Sequence, residues 1–139
     1  KQCWALFCQA EAVTGGNTGN QSATLIITAL STGDVILSDW WRVVSRELLM
    51  GLFLGGVLGI VGYFCALPVA QPTPAYYSAL VIPITVVLVV VCGTLFGSLL
   101  PLLFSRLGWD PALMSNPFVA GLIDVVGIVV YMHVALAIL

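Results

Sequence analysis

Few residues in this chain can do chemistry, and the most informative is an acid inside an apolar run. Between Pro117 and Leu139 the only formal charge is Asp124. Read as a helix, the run puts Asn116, Ala120 and Asp124 at i, i+4 and i+8 on one face, with Gly127 and Tyr131 continuing the stripe. Asp124 then lies about 12 Å beyond Asn116, at ~1.5 Å per residue. An acid at membrane depth is by default an ion or proton site. The plainer alternative is a protonated carboxyl, hydrogen-bonded to Asn or Thr, that only holds helices together. The run inserts despite its acid. Thirteen Leu, Ile, Val or Phe at roughly −0.3 to −0.6 kcal/mol each outweigh about +2.5 to +3.5 kcal/mol for one Asp. His133 lies nearer the far end and reads as an interfacial or packing residue.

A second polar stretch is Thr14-Gly-Gly-Asn-Thr-Gly-Asn-Gln-Ser22. Counted back from Ser31, Asn20 is about 16 Å deep by the same helical rise. Asn17, Asn20 and Asp124 can therefore share a level on antiparallel helices. Gly15, Gly16 and Gly19 let a backbone carbonyl face a neighbouring helix or an ion. The stretch is not a phosphate-binding loop, because the required Lys is missing. Glu11 is expected at the outer interface. Cys3, Cys8, Cys65 and Cys92 lack metal-ligand spacing and read as small packing residues.

These groups must be positioned by membrane helices. Hydrophobic residues are 60 % of the 139, charged residues 7 %, and mean hydropathy is +1.12. Soluble domains carry about 25 % charged residues, so ten charges cannot cover a water-facing surface. No basic patch exists for nucleic acid. No Ser/His or paired-Asp arrangement argues for an enzyme. The expectation is an all-α, polytopic helical membrane protein, one transmembrane domain over 1–139, with four segments at about 4–31, 48–67, 76–104 and 117–139. The last three reach the ~20 residues that span a ~30 Å bilayer core. Ile84–Val91 is strand-like in its β-branching, but a lone strand in lipid leaves its backbone unpaired, so a helix is expected.

The connections set orientation. Arg42 and Arg46 precede the second segment and Arg106 follows the third, whereas the turn with Pro68, Pro72 and Pro74 has no Lys or Arg. The positive-inside rule puts the arginine-bearing loops in the cytoplasm and both chain ends outside. An outside start implies a further helix upstream of Lys1. Ser38 or Asp39 can cap a short amphipathic helix, Trp40 and Trp41 suit the headgroup layer, and Ser115-Asn116-Pro117 opens the last segment with proline at the first helical position. Gly51, Gly55 and Gly59, and then Gly93 and Gly97, recur every four residues and allow close helix packing.

Three separated motifs, Thr14–Ile27, Leu107–Ala112 and Ser115–Gly127, resemble the MgtE magnesium channel family over about Thr14 to Leu139. The resemblance implies a homodimer with a pore on its two-fold axis and five membrane helices per subunit, of which this chain matches the second to fifth. It offers no room for the family's first helix or cytoplasmic sensor. It implies transport of Mg²⁺, bound largely hydrated, across a cell membrane (the cytoplasmic or inner membrane if bacterial). Asp124 looks like the pore aspartate that holds the ion through water, and Ala120 like the position whose carbonyl joins it. Asn116 looks like a pore-lining residue, with Gly121 beside it near the axis and Asn17 and Asn20 on the facing helix. Mg²⁺ keeps several waters and takes one or two carboxylates, so two Asp124 side chains opposed across a two-fold axis suit it. A proton-coupled carrier and a non-transporting structural subunit are the competing readings.

Overall fold

The computed structural model describes residues 2–68, 75–111 and 116–138, with side chains for all of these except 2–8, 75–78 and 116. The chain forms α1 (Gln2–Thr32), a single 3-10 turn (Leu37–Asp39), α2 (Trp40–Ala66), α3 (Ala75–Arg106) and α4 (Asn116–Ile138). There is no strand among the described residues, and the β-branched run Ile84–Val91 is helical. Three stretches are long and apolar enough to cross a membrane: Leu37–Ala66, Ala79–Arg106 and Pro117–Ile138. α1 has the length for it but a more polar composition. It accommodates its hydroxyls locally: Thr14, Thr18, Thr24 and Thr28 each donate to the carbonyl four residues back, at 2.7–2.8 Å.

α3 is the hub. Half of its apolar window is buried against the other helices, against 17 % for α2 and for α4. Val81, Ile82, Val89 and Val90 are fully buried, and Thr85 tolerates the same core by donating to Val81 O at 2.7 Å. Pro83 and Pro101 lie inside α3, as membrane helices permit where neighbours cover the freed backbone.

Both glycine rows act as close contacts. On α2, a Cβ at Gly51, Gly55 or Gly59 would meet the α3 backbone at Val91, Val87 and Pro83, at 3.0, 2.9 and 3.2 Å. Gly93 and Gly97 of α3 lie against Gly15 and Gly19 of α1, with the Gly15 carbonyl 2.5 Å from where a Gly93 Cβ would stand. Two of the three α1 glycines thus present carbonyls to a helix.

The second segment begins earlier than expected. α2 runs unbroken from Trp40, where the sequence reading has a connection until Leu48. The charged stretch Arg42–Glu47 hides a buried face: Val43 and Glu47 pack inward, 6 % and 7 % exposed. Asp39 holds the N-cap position of α2 without a side-chain cap bond. Glycines with positive φ follow α1 and α3, Gly33 at 80° and Gly108 at 76°. At the second, Gly108 N–H donates to Ser105 O and Trp109 N–H to Phe104 O, which closes the helix end. Leu37, Trp40 and Arg106 line one cavity, so the start of α2 and the end of α3 lie side by side with their arginines at one end of the bundle. The turn with Pro72 and Pro74, and Ser115, lie outside the described residues.

Candidate ion site on α1 and α4

α1 and α4 pack together in a register fixed by small residues. A Cβ on Gly127 would stand 3.4 Å from Ala12 Cα, and a Cβ on Gly16 would stand 3.7 Å from Ala120 Cα. Further along, Ala23 clusters with Val119 and Ile123, all fully buried. The helices are therefore antiparallel, as the alternating topology requires.

Within this register Asp124 faces Gly16. A Cβ there would lie 3.0 Å from Asp124 Oδ1, so the carboxylate rests over bare α1 backbone. Asp124 is half-buried, and among the described residues it makes no hydrogen bond or ion pair. The interhelical glue considered above would need an Asn or Thr partner, and among the described residues Asp124 has none. Ala120 sits one turn away on the same face, also half-buried and over Gly16.

The Asn residues of α1 are close in level to Asp124, though not equally so. Asp124 pairs with Gly16 rather than with Asn20, so Asn17 is the adjacent residue and Asn20 lies one turn further along. Asn17 is exposed on the outside of the chain. Asn20 is half-buried, and its Oδ1 is covered without a partner among the described residues. Gly121 is exposed, with open space where a Cβ would go. The side chain of Asn116 lies outside the described residues; its backbone begins α4. Asn17, Gly121 and part of Asp124 thus remain uncovered by this chain.

Other expectations fare unequally. His133 is exposed, and its Nδ1 lies 2.8 Å from Val129 O of its own helix. Glu11 is not exposed at an interface but buried at 4 %, with neither carboxylate oxygen partnered among the described residues. No three His, Cys, Asp or Glu side chains converge among the described residues. Sequence reasoning missed Gly16 as the residue beneath that carboxylate. It also missed Glu47, which accepts a hydrogen bond from Ser22 Oγ at 2.7 Å, buried.

The chain is similar to three magnesium transporters named MgtE. It is 49 % identical to the one from Thermus thermophilus over 126 residues, covering 88 % of this chain and 26 % of the relative. The Enterococcus faecalis protein is 30 % identical over 94 % of this chain and 28 % of its own length. The Bacillus subtilis protein is 28 % identical over 99 % of this chain and 30 % of its own length. The chain thus spans under a third of each relative. The family profile described as MgtE, divalent cation transporter, matches residues 11–134, and the chain belongs to that family of transporters rather than to any class of enzyme.

Proposed function

We propose that this chain forms the ion-conducting part of a divalent cation transporter that passes Mg²⁺ through a pore built with a second copy of itself. One observation carries the reading: the carboxylate of Asp124, well inside an apolar helix, rests on α1 backbone and has no partner among the described residues. A charge in that setting is costly unless something pairs with it. A divalent cation, entering with much of its water, supplies the pairing. Two Asp124 carboxylates across a two-fold axis would match the ion's double charge.

In this arrangement Asp124 selects charge through the ion's water shell, and the Ala120 carbonyl adds a neutral oxygen one turn away. Asn116, Gly121, Asn17 and Asn20 line the path, offering amide groups or room. Gly16 keeps the wall behind Asp124 flat, and the glycine contacts of α1 with α3 hold that wall in place. The partners are the cation, the bilayer of a cell membrane, and the second subunit.

The test is Mg²⁺ uptake into proteoliposomes under separately imposed Mg²⁺ and proton gradients. Uptake should follow the Mg²⁺ electrochemical gradient and ignore ΔpH at fixed Mg²⁺. Uptake driven by ΔpH would replace the channel with a proton-coupled carrier.

A further inference from the structure

α1 and α2 both pack along α3 but scarcely on one another, and the groove left between them holds the second buried acid of interest. Glu47 of α2 projects into it, 7 % exposed. A cavity of about 120 Å³ there is lined by Thr18, Gln21 and Ser22 of α1, Arg46 and Glu47 of α2, and Thr94 of α3, with apolar Leu25, Met50 and Leu54 completing it. It adjoins a larger cavity of about 360 Å³ that shares Arg46 and Glu47 and carries Asp34, Asp39 and Arg42 at its other end. The groove therefore leads from the arginine-bearing end of the bundle to Glu47.

The chemistry of this wall is one-sided. A hydroxyl has one proton and two lone pairs, and here the protons are already used. Ser22 Oγ donates to Glu47 Oε2 at 2.7 Å. Thr18 Oγ1 donates to Thr14 O at 2.7 Å. Thr94 Oγ1 donates to Glu47 O at 3.1 Å and Val91 O at 3.0 Å. What the three hydroxyls have left are lone pairs, beside a carboxylate that makes no ion pair among the described residues. Arg46 is the one cation in the lining; it is exposed and unpaired with Glu47. A buried carboxylate needs a counter-charge, and oxygen acceptors around one carboxylate suit a hard divalent cation that keeps some of its water. The volume equals that of about four waters at ~30 Å³ each, room for such an ion.

From this geometry we infer that the α1–α2 groove is a second divalent-cation site, reached from the arginine-bearing end and separate from Asp124, with Glu47 as its charged ligand and Ser22, Thr18 and Thr94 as neutral oxygens. It stands independently of the pore reading. Arg46 guards its mouth and opposes occupancy.

The probe is Mn²⁺, followed by electron paramagnetic resonance on the whole chain in lipid nanodiscs, in an Asp124→Asn, Glu11→Gln background that removes the charge of Asp124 and of the other buried acid. That protein should bind one Mn²⁺ per chain, displaced by Mg²⁺. Adding Glu47→Gln, which keeps an acceptor for Ser22, should weaken binding by more than the about 10–100-fold that changes behind a metal ligand produce. Arg46→Gln should tighten it. Binding unchanged by Glu47→Gln overturns the inference, as does displacement by Na⁺ at concentrations equal to Mg²⁺, which would make this a monovalent site. Should the Glu47 variant fail to fold, Thr18→Val takes its place, and unchanged binding there overturns the inference equally. Failure of Asp124→Asn to alter transport would sink the pore reading alone and leave this site standing.

Discussion

Replacing Gly16 by alanine isolates the contact between α1 and the acid of α4. The new methyl carbon would stand 3.0 Å from Asp124 Oδ1 and 3.7 Å from Ala120 Cβ. The first distance is too short for carbon against oxygen, so the carboxylate must give by a few tenths of an ångström. Turning it ~30° from its rotamer costs about 0.5–1.5 kcal/mol, which at 1.4 kcal/mol per decade is about a 2- to 12-fold loss in ion binding. Stability should change little. Alanine is about 1 kcal/mol better than glycine inside a helix, which offsets the cost of displacing the end of a movable side chain. Gly16→Ala should therefore fold about as well as wild type, by thermal unfolding in detergent, while Mg²⁺ uptake in proteoliposomes falls several-fold. Gly56→Ala is the control: it meets nothing within 4 Å, gains the same helix propensity, and should transport normally. Uptake by Gly16→Ala equal to wild type would refute the contact; a loss of uptake that tracks unfolding would assign the glycine to packing.

Two other perturbations read different parts of the structure. Gly97→Ala drives a methyl into the Gly19 carbonyl and to 2.8 Å from Gly19 Cα; backbone cannot swing aside, so about 1–3 kcal/mol of stability should be lost, and an unchanged unfolding midpoint would deny the α1–α3 contact. Gly121→Cys, on a background without the native cysteines, has open space within its own chain and should crosslink to a second copy in membranes, whereas cysteine at lipid-facing Leu88 should not; the reverse would move the two-fold axis off α4.

Much of this architecture is legible in the residues because lipid leaves a chain few options. The apolar runs after Leu48, Tyr76 and Pro117 can only be helices, and the four-residue glycine spacing on α2 and α3 announces their close contacts. The start of α2 is not legible, since Trp40–Glu47 looks like a polar connection until Val43 and Glu47 are seen to face inward. The rotation of α1 is not legible either. Its three glycines are alike in sequence, yet the close approach of α3 claims Gly15 and Gly19 and leaves Gly16 to Asp124. Depth counting from Ser31 set both Asn17 and Asn20 near the level of Asp124, and the α1–α4 register puts Asn17 beside it and Asn20 one turn further along. The burial of Glu47 is not legible either, because it depends on Ser22 and Thr94, which are distant in sequence.

The central claim is that the charge of Asp124 selects the ion, and Asp124→Asn tests it most directly. The substitution keeps the size and hydrogen-bonding capacity of the side chain while removing one charge from each chain. The measurement is Mg²⁺ and K⁺ flux through wild type and variant in the same proteoliposomes, with oligomeric state checked by size exclusion. The account predicts that the variant folds and assembles as wild type does, loses its preference for Mg²⁺, and leaks monovalent cations. A well-folded Asp124→Asn protein that still prefers Mg²⁺ as strongly as wild type would contradict it.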